Sequence, residues 1–256
     1  MACMRITLIT GADGASFAHD LAAALGPDDE LTVIASVVRD RWSAWLKACP
    51  DLDALLAPRD VEASFAVADQ LRSIDFTRDR VSDQTVATRL VRTELMGSGI
   101  SLTDATIATA LRSGLGFRPL PVSDDRAELH VVVGPEPHAI HIGEYLADPD
   151  AHEPSETVLV AESWSASQTV LAALAETDVL VLGPSSRTLA IDPVLRAPGV
   201  LDAIPDALPV LVVEHADTAP PALVTAAGLR ESDPGRAHPV PADAPAVAAR
   251  AKELAS

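Results

Sequence analysis

Three carboxylates, Asp40, Asp51 and Asp53, carry the most evident chemistry in this chain. Asp40 follows the second strand-like run, and Pro50-Asp51-Leu52-Asp53 sets two acids two residues apart at a helix start. Such a set suits the sharing of a hard cation or the holding of a sugar hydroxyl, and Asp51 is equally well placed to cap the helix. A second candidate is Gly11-Ala12-Asp13-Gly14, between a strand and a helix. Glycines there let a phosphate approach backbone N–H groups at a helix N-terminus, where the dipole favours an anion, although Asp13 opposes it by charge. The third is the apolar run Val179 to Leu182, which stops on Gly183-Pro184-Ser185. A turn at the carboxyl end of a buried parallel strand is where open α/β sheets take their ligands. Ser123-Asp124-Asp125 closes another strand, and His141 and Glu144 lie on a later one. Alternation there places His141 and Tyr145 on one face and Glu144 on the other, so they form no evident dyad.

Alternating strands and helices must position these groups. Arg5 to Thr10 is β-rich, Phe17 to Leu25 repeats apolar residues at helical spacing, Gly26 caps it, and Leu31 to Val37 is the next strand. This βαβ unit predicts a parallel sheet. Residues from about Asp83 to Gly116 read as two helices in a hairpin, the second opened by Ser101 with Asp104 three residues later. Strands at Arg118–Val122, Glu128–Val133 and Ala139–Leu146 follow without helices between them, which suggests an antiparallel insertion. Ala166 to Glu176 is helical, and Val210 to Val213 offers one more core strand. The fold class expected is α/β: a single Rossmann-like, three-layer domain with a parallel sheet, an inserted helical-hairpin and antiparallel-strand subdomain at about 83–146, and a Pro-rich tail at about 216–256 that ends in a short helix over about Ala246 to Ala255.

Composition limits the function. The chain has 256 residues, 48% hydrophobic, with 37 acidic against 19 basic and a formal charge of −18. That balance repels nucleic acid and anionic membranes, and no basic patch overrides it. Cys3 and Cys49 form no C-x-x-C pair, no apolar run approaches ~18 residues, and the N-terminus lacks the pattern of a secretion signal. A reducing cytoplasmic setting is the expectation. No G-x-G-x-x-G follows the first strand, which disfavours a nicotinamide-dependent oxidoreductase.

Six motifs then fall in order from about Ile6 to Val213: Cys49-Pro50-Asp51-Leu52-Asp53-Ala54, Arg89-Leu90-Val91-Arg92-Thr93-Glu94-Leu95, Ser101-Leu102-Thr103-Asp104-Ala105-Thr106, Leu120-Pro121-Val122-Ser123-Asp124-Asp125, His141-Ile142-Gly143-Glu144-Tyr145, and Gly183-Pro184-Ser185 running on to Leu195. With these the chain resembles the 2-phospho-L-lactate transferase family of coenzyme F-420 biosynthesis. The resemblance implies a guanylyl-activated phosphoacid, phospholactate or phosphoenolpyruvate, whose phosphoryl group passes to the ribityl hydroxyl of the deazaflavin Fo with release of GMP. It implies a guanine nucleotide (GTP or GDP) site, Mg²⁺ on Asp40 and Asp51, which are also the catalytic pair, and a homodimer. Nucleotide and substrate contacts are then expected from Gly11, Gly14, Asp53, Asp83, Ser123, Asp124, Gly183, Pro184 and Ser185. The chain departs from the family's G-G-T-G turn at Asp13, from its D/E at Arg39, from its basic residue at Gln84 and from its glutamine at Gly143. Those departures keep a second reading open, a catalytically degenerate paralogue that binds a nucleotide, a deazaflavin or a protein partner.

Overall fold

The computed structural model describes residues 3–76, 79–214 and 237–255. Six strands form one wholly parallel sheet: β1 (Arg5–Ile9), β2 (Glu30–Ala35), β5 (Arg118–Pro121), β9 (Val179–Leu182), β10 (Val210–Val213) and β11 (Ala237–Val240). Their spatial order is β11-β10-β9-β1-β2-β5. The chain therefore runs outward from β1 to β2 and β5, then returns to the other side of β1 with β9. In doubly wound sheets that reversal opens a crevice at the strand carboxyl ends, here between β1 and β9. β9 is wholly apolar and buried, and β1 is buried from Ile6 onward, as expected of central parallel strands covered on both faces.

Helices cover both faces. On one, α1 (Ala15–Ala24) packs against α2 (Pro50–Leu55) and α10 (Ala244–Leu254); on the other, α7 (Gln168–Glu176) packs against α9 (Val200–Ala203). Phe17, Ala18 and Leu21 of α1, Val247 and Ala251 of α10, and Val170 and Leu174 of α7 bury their apolar stripes in the main core. A short hairpin, β3 (Arg41–Ser43) with β4 (Leu46–Ala48), leads into α2; its tip, Ala44 and Trp45, takes positive φ. Helix α3 (Ala66–Ser73) precedes the hairpin of α4 (Asp83–Gly97) and α5 (Leu102–Ser113). Ser82 and Ser101 cap α4 and α5 through their hydroxyls, and Gly114 ends α5 in the left-handed region.

Beyond β5 lies a three-stranded antiparallel sheet ordered β7-β6-β8, formed by β6 (Glu128–Val133), β7 (His138–His141) and β8 (Pro154–Val160). Its own small core, Leu129, Val131, Val133, Ile142 and Tyr145, closes on Val38 and Leu189, one residue from each of two loops at the crevice.

Three elements differ from the sequence expectation. Arg118–Pro121 is the outer strand of the parallel sheet, beside β2, and so splits the antiparallel strands from the helical hairpin. The strand expected over Ala139–Leu146 ends at His141, whose Nδ1 accepts the Gly143 N–H at 3.0 Å and caps the short helix α6 (Ile142–Tyr145). Tyr145 and Glu144 thus belong to a helical turn, not to opposite faces of a strand. The C-terminal helix begins at Ala244, capped by Asp243, and is preceded by β11, whose Pro239 sits on the sheet's outer strand where proline is tolerated. The rest of the Pro-rich tail, residues 215–236, lies outside the described residues.

Candidate active site

The loops at the β1 and β9 carboxyl ends are hydrogen-bonded to each other. Ser185 Oγ pairs with Thr10 Oγ1 at 2.8 Å and accepts the Gly11 N–H at 2.9 Å. Asp51, at the start of α2, accepts the next N–H, that of Ala12, on Oδ1 at 2.8 Å. Three stretches far apart in sequence therefore meet on one turn. The fit is tight enough to require glycine: a Cβ on Gly11 would stand 2.6 Å from that of Ala190 and 2.7 Å from Asp51 Oδ1, and one on Gly14 would overlap Thr10 Oγ1. The Gly183-Pro184-Ser185 turn is buried, so Ser185 braces the glycine turn from beneath while Ala12 and Asp13 are its outward residues. The chain continues as a π-helical turn, Arg187–Ile191, buried from Thr188 onward, capped by Ser186 and running into α8 (Asp192–Arg196). Single π turns are frequent at functional sites.

Each of the three acids singled out from spacing holds a cation of the chain. Arg39 grips Asp51 along one edge of its guanidinium: Nε donates to Oδ2 at 3.3 Å and Nη2 to Oδ1. Lys47 Nζ lies 3.3 Å from Asp40 Oδ2. Asp53 faces away from the turn, bonded on Oδ2 to Arg89 Nε and on Oδ1 to Arg92 Nη1, both at 2.7 Å, in a network that ties α2 to α4. Asp40 is almost completely buried, and burial raises its pKa from 3.8 to about 6 against the pull of Lys47, the Cys49 thiol and Arg92.

Asp83, Ser123 and Asp124 make hydrogen bonds within the protein. Asp83 accepts from Ser64 Oγ and from the Ala66 and Val67 N–H groups, capping α3, and these bonds hold its carboxyl below the usual range. Asp124 accepts the Thr103 N–H at 2.7 Å at the start of α5, and Ser123 Oγ the Asp125 N–H at 3.0 Å. Gly11, Gly14, Asp51 and Ser185 thus converge, with Asp40 close behind, whereas Asp53, Asp83, Ser123 and Asp124 do not face the turn. Spacing alone did not reveal Arg39, Lys47, Arg89 and Arg92 as partners. It also passed over an apolar cleft beside the β3-β4 hairpin, walled by Leu46, Leu71, Phe76 and Val86, with Asp79 and Arg89 as its charged groups.

This arrangement does not fit the divalent ion implied by the family resemblance. Both oxygens of Asp51 are occupied by N–H donors, Asp40 pairs with Lys47, and among the described residues no three His, Cys, Asp or Glu side chains converge as a ligand set. Mg²⁺ requires near-octahedral oxygens at ~2.0–2.1 Å, and two fixed cations beside it would repel it. Among the described residues no helix is long and apolar enough to cross a membrane.

Comparison with known proteins gives a family for the chain as a whole. Residues 6–220 match the family described as 2-phospho-L-lactate transferase CofD. The chain is similar to a phosphoenolpyruvate transferase of Kitasatospora aureofaciens, 35% identical over 219 residues that cover 78% of this chain and 68% of that protein. Another phosphoenolpyruvate transferase, from Streptomyces griseus subsp. griseus, is 33% identical over 222 residues, 80% and 70% of the respective chains. Among solved structures, protein BH3568 from Bacillus halodurans superposes with a TM-score of 0.60 at 17% identity, covering 83% of this chain and 69% of its own, a likeness of fold.

Proposed function

Because the chain belongs to the 2-phospho-L-lactate transferase family, and is thus a transferase by descent, we propose that it passes a phospholactyl or phosphoenolpyruvyl group from a guanylyl-activated donor to the deazaflavin Fo. The observation that carries this reading is the shared turn: Ser185 and Asp51 hold successive N–H groups of Gly11 and Ala12 at the switch point, directly before α1. The turn runs straight into α1, so the positive end of the helix dipole lies at this loop and favours an anion there.

In the reaction, the ribityl hydroxyl oxygen attacks the phosphorus of the phosphoacid. The P–O bond to the guanylyl group breaks, GMP leaves with its electron pair, and the hydroxyl proton passes to a carboxylate. Asp40 suits that last role, since a base is most effective when its pKa lies near the working pH. Asp51 orients the turn and Arg39 towards the phosphates. With both acids so engaged, no step is assigned to a metal. The apolar cleft beside Phe76 is the place for the flat deazaflavin ring, with Arg89 joining it to the Asp53 network.

A second reading, binding without turnover, is favoured by one observation: Arg39 neutralises Asp51 where an unencumbered acid would serve catalysis. Calorimetry with GDP and with Fo, followed by mass-spectrometric detection of the phosphodiester product, separates the two. Product formation supports the transferase. Fo binding without product points to the paralogue, and failure to bind either ligand sinks the transferase reading.

A further inference from the structure

Arg39 lies in the turn after β2, its side chain 15% exposed against 1% for Asp51. Burial disfavours its charge, yet Asp51, Asp13 and Asp40 together hold its pKa above the ordinary arginine value. Asp13 and Arg39 are two separate departures from the family pattern, and in the fold they are electrostatic partners on the loops after β1 and β2. Arg39 is also mechanically joined to the glycine turn, because Asp51 Oδ1 takes both the Ala12 N–H and Arg39 Nη2.

We propose that Arg39 is the resident cation of the phosphate-binding end: its guanidinium takes the position between carboxylates and ligand phosphates that a divalent ion would hold, so that phosphorylated ligands bind without metal. The inference rests on the reading that the Gly11–Gly14 turn faces phosphates. A guanidinium suits the position because it stays charged at all relevant pH and presents a planar fork of donors that matches phosphate oxygens. Its tether makes the charge permanent, and with Lys47 beside Asp40 it leaves the acids little net charge to attract a free ion.

The test is calorimetry of GDP binding to the full chain in excess EDTA and again in Mg²⁺, with Mn²⁺ uptake by the unliganded protein followed by electron paramagnetic resonance. The affinities in EDTA and Mg²⁺ are expected to agree within about threefold, with no Mn²⁺ bound. Binding of GDP only with Mg²⁺, or Mn²⁺ uptake at this site, overturns the inference while leaving the transferase reading in place. No GDP binding in either buffer removes the phosphate reading and the inference with it. Arg39→Gln, with its fold checked by circular dichroism, is expected to weaken GDP in EDTA at least about tenfold while leaving guanosine binding unchanged. Equal affinity of a folded Arg39→Gln protein for GDP overturns the proposal. The wild-type arms decide the matter if that variant does not fold.

Discussion

Asp40 offers a quantitative test of how much charge this site keeps buried. It is 3% exposed, neither carboxylate oxygen accepts a well-formed hydrogen bond, and its principal counter-charge is Lys47 at 3.3 Å. Its pKa is raised by burial from 3.8 to about 6. The folded state therefore binds this proton more tightly than the unfolded chain does. The stability it contributes is fully present below about pH 4 and is lost as pH rises through about 6. At ~1.4 kcal/mol per tenfold in proton affinity, the interval is worth ~3 kcal/mol. Asp40→Asn removes the titration. Relative to wild type, the variant should gain ~3 kcal/mol between about pH 4 and 7, on top of a pH-independent offset from leaving Lys47 without its partner. Urea unfolding followed by far-ultraviolet circular dichroism across that range measures the difference. A wild-type-minus-variant difference that stays flat with pH, or that moves the opposite way, would refute the reasoning, whatever the offset.

Asp53→Asn should cost ~3–5 kcal/mol in urea unfolding, because it leaves Arg89 and Arg92 buried with no carboxylate between them. A loss below ~1 kcal/mol would mean the network is effectively solvated. Ser185→Ala deprives the Gly11 N–H and Thr10 Oγ1 of their shared partner and should cost ~1–3 kcal/mol, read from the same unfolding curves; unchanged stability would show that the two loops are not joined as described. Gly14→Ala drives a methyl group into Thr10 Oγ1 and to 2.9 Å from Ser185 Oγ, and should destabilise by ~1–3 kcal/mol. A melting temperature equal to wild type would count against that close approach.

The central β1, α1 and β9 were legible from sequence because their signals are local: a short apolar run, helical spacing, and a glycine or Gly-Pro turn at each end. β5 joins the parallel sheet and not the antiparallel one that its neighbours in sequence suggest, for a physical reason. Arg118-Pro119-Leu120-Pro121 lacks amide hydrogens at alternate positions, which marks an outer strand but does not say of which sheet. β7 is shorter than its periodicity suggests because the cap made by His141 is a side-chain bond that strand periodicity does not encode. In the site, spacing located Asp51 and Asp53 at the start of one helix, but successive helical residues point in different directions. Asp51 turns to the glycine loop and Asp53 to α4, where Arg89 and Arg92 lie 36 and 39 residues further along the chain. Which helix faces which carboxylate is a property of packing, and no local pattern states it.

The hydrogen bond between Thr10 and Ser185 joins residues 175 positions apart. Until β9 is made, β1 has a neighbour on one side only, and its apolar Ile6 and Leu8 present an unpaired edge. A chain emerging from the ribosome must hold that edge open through the whole antiparallel insertion before the central pairing can close. Such long-range parallel closure is slow and leaves intermediates prone to aggregate. Yield on expression should therefore respond more to how quickly β9 reaches β1, through temperature or chaperone supply, than to the stability of the finished fold.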